Sequence, residues 1–205
     1  KINSLVDEPI KLVALARNPN AFIERFPLLI DENFEFLQGD IMNPITIVND
    51  FDYIIHTALP SASELFNEDP QIIYQAICDG TQNIIDFAGT NLQSRILYTS
   101  SGAVYAAMSE DKHGFSETDA LVEISSLKNT NDAYSSGKVQ TEKMFQQSNL
   151  NYVIARCFSF VGPYLPLDAH FAIGNFINDV LHGRDIVIKS DGSAMRSYLY
   201  TADLV

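Results

Sequence analysis

The sequence has no CxxC or other metal-binding spacing, no HExxH, and only two cysteines, Cys78 and Cys157, each inside a periodic apolar segment. That usage argues against a disulfide framework or a thiolate metal site and leaves both cysteines as small core residues in a reducing compartment. His56, His113, His170 and His182 are scattered, so no metal is expected. Basic residues are scarce, 13 against 26 acidic ones, for a net charge of −13 over 205 residues. Such a chain is poorly suited to the phosphates of a nucleic acid, so no nucleic-acid partner is expected and any anionic ligand must be held locally. Long apolar runs are missing too. The stretch Asn151–Leu167 is broken by Arg156 and Pro163, and nothing approaches the roughly 20 residues of a membrane span. The sequence opens at Lys1 with no initiator methionine, basic n-region or apolar h-region, so the expectation is a soluble, cytoplasmic protein without a membrane partner, whose start lies upstream.

What is present alternates regularly. Lys11–Arg17, Phe34–Ile41, Asp52–Ala58, Arg95–Tyr105 and Asn151–Val161 are short aliphatic and β-branched runs bounded by turn residues, and each reads as a strand. Asn18-Pro19 reads as a turn. Between the strands, Pro70–Asn91 repeats apolar residues at helical spacing with Pro70 in its first turn. Asp132–Ser148 is a second helix with Asp132 as cap, and Phe171–His182 a third, stopped by Gly183. The polar stretch Ser109–Thr130 reads as an ordered flap. Strands alternating with helices of this length predict an α/β doubly wound parallel sheet, because parallel neighbours need a crossover. Residues 1–163 are expected to form the Rossmann-like domain and residues 164–205 the start of a smaller lobe.

A dinucleotide site on such a fold calls for a glycine-rich turn after the first strand, and the sequence has no GxxGxxG. Lys11–Arg17 is therefore expected to be the second strand of the complete fold, with the first strand and its turn outside this sequence. The constellation richest in chemistry is Tyr134-Ser135-Ser136-Gly137-Lys138. Residues four apart on a helix face one side, so a phenol and an ammonium meet one ligand, and the cation favours the phenolate that a general base needs. Lys138 can also hold a ribose. Tyr98-Thr99-Ser100-Ser101 ends a strand in hydroxyl groups, where open α/β sheets place ligands, and Ser101 could bind the oxygen whose proton Tyr134 exchanges. A plain turn at Ser100-Ser101 is the alternative. Gly39-Asp40-Ile41 and His56-Thr57-Ala58-Leu59 follow two other strands and could lie beside an adenine and its ribose.

In this order the segments resemble the extended short-chain dehydrogenase/reductases, specifically the NAD(P)-dependent nucleotide-sugar epimerase/dehydratase family. Arg156 to Pro163 is similar to that family's RxFNxxGP, with Ser159 in place of the usual asparagine, and Asp191-Gly192 through Arg196 to Asp203 is similar to its nucleotide-sugar region. The resemblance implies Ser101, Tyr134 and Lys138 as catalytic residues. It implies Arg17, Asp40, Ile41, Thr57, Ala58, Leu59, Thr99, Tyr134 and Lys138 at the cofactor, and Ser101, Ser159, Asn175 and Arg196 at the substrate. It further implies an NAD or NADP cofactor, a nucleotide-sugar substrate processed through a transient ketone, and a homodimer. Two departures refine it. Gly102-Ala103 stands where the 4,6-dehydratases carry Asp-Glu, which disfavours water elimination and favours an epimerase, ketoreductase or decarboxylase-like reaction. The second strand ends Ala16-Arg17 rather than in a carboxylate, which tilts the expectation towards NADP. A reductase of small carbonyl compounds and a non-catalytic cofactor-binding sensor stay open as alternatives.

Overall fold

The computed structural model describes residues 9–47, 50–58, 68–109, 112–124, 127–169, 171–188, 190–192 and 195–204. It begins with strand β1 (Leu12–Ala16), helix α1 (Pro19–Arg25) and strand β2 (Phe34–Gln38). The strands pair in parallel, Leu12 opposite Phe34 and Ala16 opposite Gln38. Asn18-Pro19, expected as a turn, instead starts α1. The Asn18 side chain accepts the Ala21 backbone N–H at 3.2 Å and Pro19 takes the first helical position. The same dipeptide suits a turn or an N-cap, and packing decides here. Phe22 of α1 sits with its ring centroid 6.2 Å from Phe34 and 5.6 Å from Phe36.

A second ladder runs in the order β3 (Tyr53–His56), β4 (Arg95–Ser101), β5 (Asn151–Cys157), with β3 and β4 parallel. Among the described residues no ladder joins β1 to β3. Helix α2 (Pro70–Gly89) leads into β4 and helix α3 (Thr130–Gln147) leads into β5. Asp69 caps α2 by accepting the Gln71 N–H at 2.7 Å. The cap of α3 is Asn129, which accepts the Asp132 N–H at 2.9 Å, so Asp132 is a first-turn residue rather than the expected cap. Both are polar residues fit for the position, and only the backbone path distinguishes them.

The core lies between these helices and β4. Alternate residues of the strand, Ile96, Tyr98 and Ser100, are buried, and Ile96 and Tyr98 cluster with Ile84, Ala88 and Phe145. Helices α2 and α3 approach closely at Gly137, where an added Cβ would stand 3.0 Å from Ile77 Cδ1. β4 is shorter than Arg95–Tyr105, because Ser101 ends it. The Ser101 hydroxyl oxygen accepts the Ala103 N–H at 3.1 Å, and a single 3-10 turn at Gly102–Val104 sinks Val104 against Val139. The described part of Ser109–Thr130 returns to this strand end. Ala106 N–H donates to the Ala120 carbonyl, Val122 N–H donates to the Val104 carbonyl, and Tyr105 stacks on Phe115 at 4.5 Å.

The chain divides into two compact units, Lys1–Ala155 and Arg156–Val205. In the second, β6 (Ser159–Val161) pairs in parallel with β7 (Tyr198–Tyr200). The run expected as one strand from Asn151 to Val161 is broken at Phe158, whose side chain is half exposed. Helix α4 (Ala172–Leu181) stops before Gly183, which has φ 63°, and helix α5 (Thr201–Leu204) contains Asp203 in its first turn.

Candidate active site

Three consecutive residues of β4 are tied to α3. Tyr98 Oη lies 2.5 Å from Thr141 Oγ1, Lys138 Nζ donates to the Thr99 carbonyl at 2.6 Å, and Ser100 Oγ donates to Glu142 Oε1 at 2.5 Å. The Thr141 hydroxyl has one proton and lies 3.0 Å from the carbonyls of Gly137 and Lys138, so Tyr98 is the donor to Thr141. Thr99 continues the chain of contacts sideways, its hydroxyl donating to the His56 carbonyl at 3.1 Å.

Lys138 is 1% exposed. Its ammonium stands 4.7 Å from the Tyr98 ring centroid and 6.0 Å from that of Tyr134, one helical turn earlier. Two phenols thus share one cation, but their surroundings differ. Burial pushes the Tyr98 phenol well above its ordinary range, the Thr141 hydrogen bond opposes this, and the neighbouring Tyr134 and Glu142 add to it. Tyr98 therefore keeps its proton. Tyr134 is half-buried, against Ile73, Ile77 and Ala133. His56 is excluded as an acid or base near neutrality. Burial, followed by the charge of Lys138, lowers it to about 3. Its Nε2 lies 3.1 Å from Thr81 Oγ1 while Nδ1 is buried without a partner. The neutral tautomer with the proton on Nε2 fits both facts, since an unmet lone pair costs less than an unmet N–H.

The expected site residues fall into groups. Ser101, Thr99, Tyr134 and Lys138 share the β4–α3 junction. Thr57 and Ala58 follow β3 and are exposed; Leu59 lies outside the described residues. Asp40 and Ile41 follow β2 in a turn of their own. Asp40 Oδ1 accepts the Met42 N–H at 2.9 Å, and the Ile41 carbonyl accepts from Asn83 Nδ2 at 2.7 Å. Arg17 is exposed at the end of β1. In the second unit, Ser159 opens β6 half-buried, Asn175 is exposed on α4, and exposed Arg196 donates from Nη1 to the Met195 carbonyl at 2.9 Å. Sequence reasoning missed the Thr141 and Glu142 contacts. Their signal was polar residues three and four positions past Lys138, on the helix face that carries the buried Ala133, Gly137 and Phe145.

The donor set suits a dinucleotide: a phenol and an ammonium at one strand end, and the small, exposed Thr57 and Ala58 at the end of the adjacent strand. A separate shallow cleft lined by Gly89, Leu92, Ser148 and Leu150 lies where the helices run back into the starts of β4 and β5, away from these groups. Among the described residues no cluster of His, Cys, Asp and Glu is placed to hold a metal, and no helix is long and apolar enough to cross a membrane.

Known proteins share this fold and part of this sequence. UDP-glucuronic acid decarboxylase 6 of Arabidopsis thaliana is 26% identical over 176 residues, 84% of this chain and 49% of that protein. UDP-glucuronic acid decarboxylase 1 of Xenopus tropicalis is 26% identical over 178 residues, 85% of this chain and 41% of that protein. The chain thus spans about half the length of the curated relatives it matches. The fold is that of UDP-glucose 4-epimerase from Thermotoga maritima, solved with UDP-glucose, with a TM-score of 0.79 at 17% identity over 99% of this chain and 65% of that one. UDP-N-acetylglucosamine 4-epimerase from Methanobrevibacter ruminantium, in complex with UDP-N-acetylmuramic acid, gives 0.78 at 22% identity over 99% and 65%. The model of the NAD dependent epimerase/dehydratase family matches residues 2–205, and the chain belongs to that family.

Proposed function

We propose that the full-length protein modifies a nucleotide-linked sugar with a bound nicotinamide dinucleotide, by an epimerase- or decarboxylase-like reaction, with Tyr134 as general base. The observation that carries this is the buried Lys138 ammonium, anchored on the Thr99 carbonyl and one turn from Tyr134 at the strand end that bears Ser101. The dinucleotide, when bound, supplies the redox chemistry at the sugar carbon. Tyr134 takes the proton of the sugar hydroxyl, and Lys138 stabilises the phenoxide that does so. Ser101 spends an acceptor site on Ala103 N–H and keeps its own proton for the sugar oxygen. The Gly102-Ala103 pair offers no acid or base, which supports a reaction other than water elimination.

The finer assignments rest on single features. Arg17 at the end of β1 suits the 2′-phosphate of NADP. Ser159, Asn175 and Arg196 are proposed for the sugar nucleotide, with residues 164–205 as the start of the substrate lobe. The separation of the β1–β2 and β3–β4–β5 ladders supports a further parallel strand between β1 and β3, carrying the turn that cradles the pyrophosphate. A homodimer is supported by family resemblance, and a cytoplasmic location by the scarcity of cysteine.

UDP-glucuronic acid, the substrate named in both decarboxylase relatives, is the first compound to test. The full-length protein, incubated with it and with NAD or NADP, is expected to change cofactor absorbance or fluorescence and to yield a product of altered mass or configuration. Cofactor binding without any response to sugar nucleotides would favour a sensor. Turnover of small carbonyl compounds alone would favour a reductase.

A further inference from the structure

Glu142 is the only buried carboxylate among the described residues, 1% exposed on α3 one turn past Lys138. Burying a carboxylate costs several kcal/mol unless it is well bonded. Anchoring α3 to the sheet does not require one, since Thr141 beside it holds Tyr98 with an uncharged hydroxyl. What distinguishes Glu142 is its partner. It accepts from Ser100 at 2.5 Å, and Ser100 directly precedes Ser101. Of the three ties between β4 and α3, this one lies nearest the candidate catalytic hydroxyl. The Ser101 oxygen itself is held by its own following turn, at Ala103. Without the Ser100 tie, the strand end could shift relative to Tyr134 and Lys138 while the rest of β4 stayed anchored through Tyr98 and Thr99.

We propose that Glu142 is a positioning residue that acts through Ser100 to fix Ser101 against Tyr134 and Lys138, an inference that rests on the catalytic reading of those three residues. The test compares Ser100→Ala, Glu142→Leu, Glu142→Gln and the double variant Ser100→Ala/Glu142→Leu in the full-length protein. Readouts are kcat, KM for the sugar nucleotide, cofactor affinity by fluorescence, and the thermal midpoint.

Ser100→Ala and Glu142→Leu are each expected to lower kcat by about ten- to a hundredfold, the effect of a misplaced reacting group. KM and cofactor affinity should stay within about twofold. The double variant should be no slower than the worse single one, because both single variants already remove the Ser100–Glu142 bond. Glu142→Gln, whose carbonyl still accepts from Ser100, should recover most of the lost kcat. An unchanged kcat in Ser100→Ala, losses that multiply in the double variant, or a glutamine variant as slow as the leucine one would each overturn the proposal. If Glu142→Leu does not fold, Ser100→Ala and Glu142→Gln still decide it. Wild-type protein that turns over no sugar nucleotide would overturn the proposed function as well, whereas wild-type turnover with an unaffected Ser100→Ala overturns the positioning role alone.

Discussion

At the scale of single residues, the site sorts similar groups by their surroundings. Tyr98 and Tyr134 both lie near the Lys138 ammonium, yet Tyr98 is sealed and donates its proton to Thr141, so the half-buried Tyr134 is the phenol proposed as the base. Tyr134→Phe should therefore lower turnover by about 10²–10⁴ while leaving cofactor affinity nearly intact; activity close to wild type would move the base elsewhere. His56 offers a test in pH. Its folded value of about 3 lies below the ordinary 6.5, so the unfolded chain binds a proton that the folded one refuses. The neutral, buried imidazole contributes its full stability above about pH 6.5, and that stability is lost as pH falls towards 3. Denaturant midpoints measured across this window should show wild type losing up to about 1.4 kcal/mol per pH unit more than His56→Gln. Parallel curves would contradict the burial argument. Arg196→Lys should weaken sugar-nucleotide binding by about 1–3 kcal/mol at saturating cofactor, because the planar guanidinium fork is lost. Unchanged affinity would remove Arg196 from the substrate site.

At the scale of elements, the register of α3 determines where Tyr134 and Lys138 sit, and two features hold it. One is the row of bonds to β4. The other is the absence of a side chain at Gly137, which lets α3 approach α2 until an added Cβ would meet Ile77 Cδ1 at 3.0 Å and its Cβ and Cγ2 at 3.2 Å. Gly137→Ala, one residue from Lys138, should cost about 1–3 kcal/mol by overpacking. Ile77→Val removes the nearest of those atoms, so the two substitutions together should cost less than the sum of their separate effects. Additive unfolding free energies would show that the helices part without strain.

At the scale of the whole molecule, parallel pairing puts Arg17 and Asp40 past the C-terminal ends of one ladder, and Thr57 and Ser101 at those of the other, the strand ends where a doubly wound sheet binds ligands. With a net charge of −13, the protein would hold the proposed anionic substrate through single cations rather than through the overall field. The ladder edges at β1 and β3 face no partner strand among the described residues, and Tyr53 and Ile55 of β3 are 66% and 61% exposed. A protein made of these 205 residues alone should therefore self-associate. Sedimentation of a stable monomer at micromolar concentration would count against an additional strand between β1 and β3.

Local chemistry made much of this legible. Helical spacing identified α2, and it placed Tyr134 and Lys138 on one face because four residues make about one turn. Apolar runs located β1 to β5, and the alternation of strand and helix gave the parallel α/β class. What remained depended on contacts between segments distant in sequence. Asn18-Pro19 carries the same local signal for a turn as for an N-cap, and the Phe34–Phe36 surface selects the helix. Phe158 interrupts an otherwise continuous strand pattern with no breaker residue. Ser100 and Glu142 are 42 positions apart, each unremarkable in its own segment. Periodicity reports which face a side chain shares; only the packing of α3 against β4 decides which buried oxygen meets which buried hydroxyl, because that match depends on the registers of both elements at once.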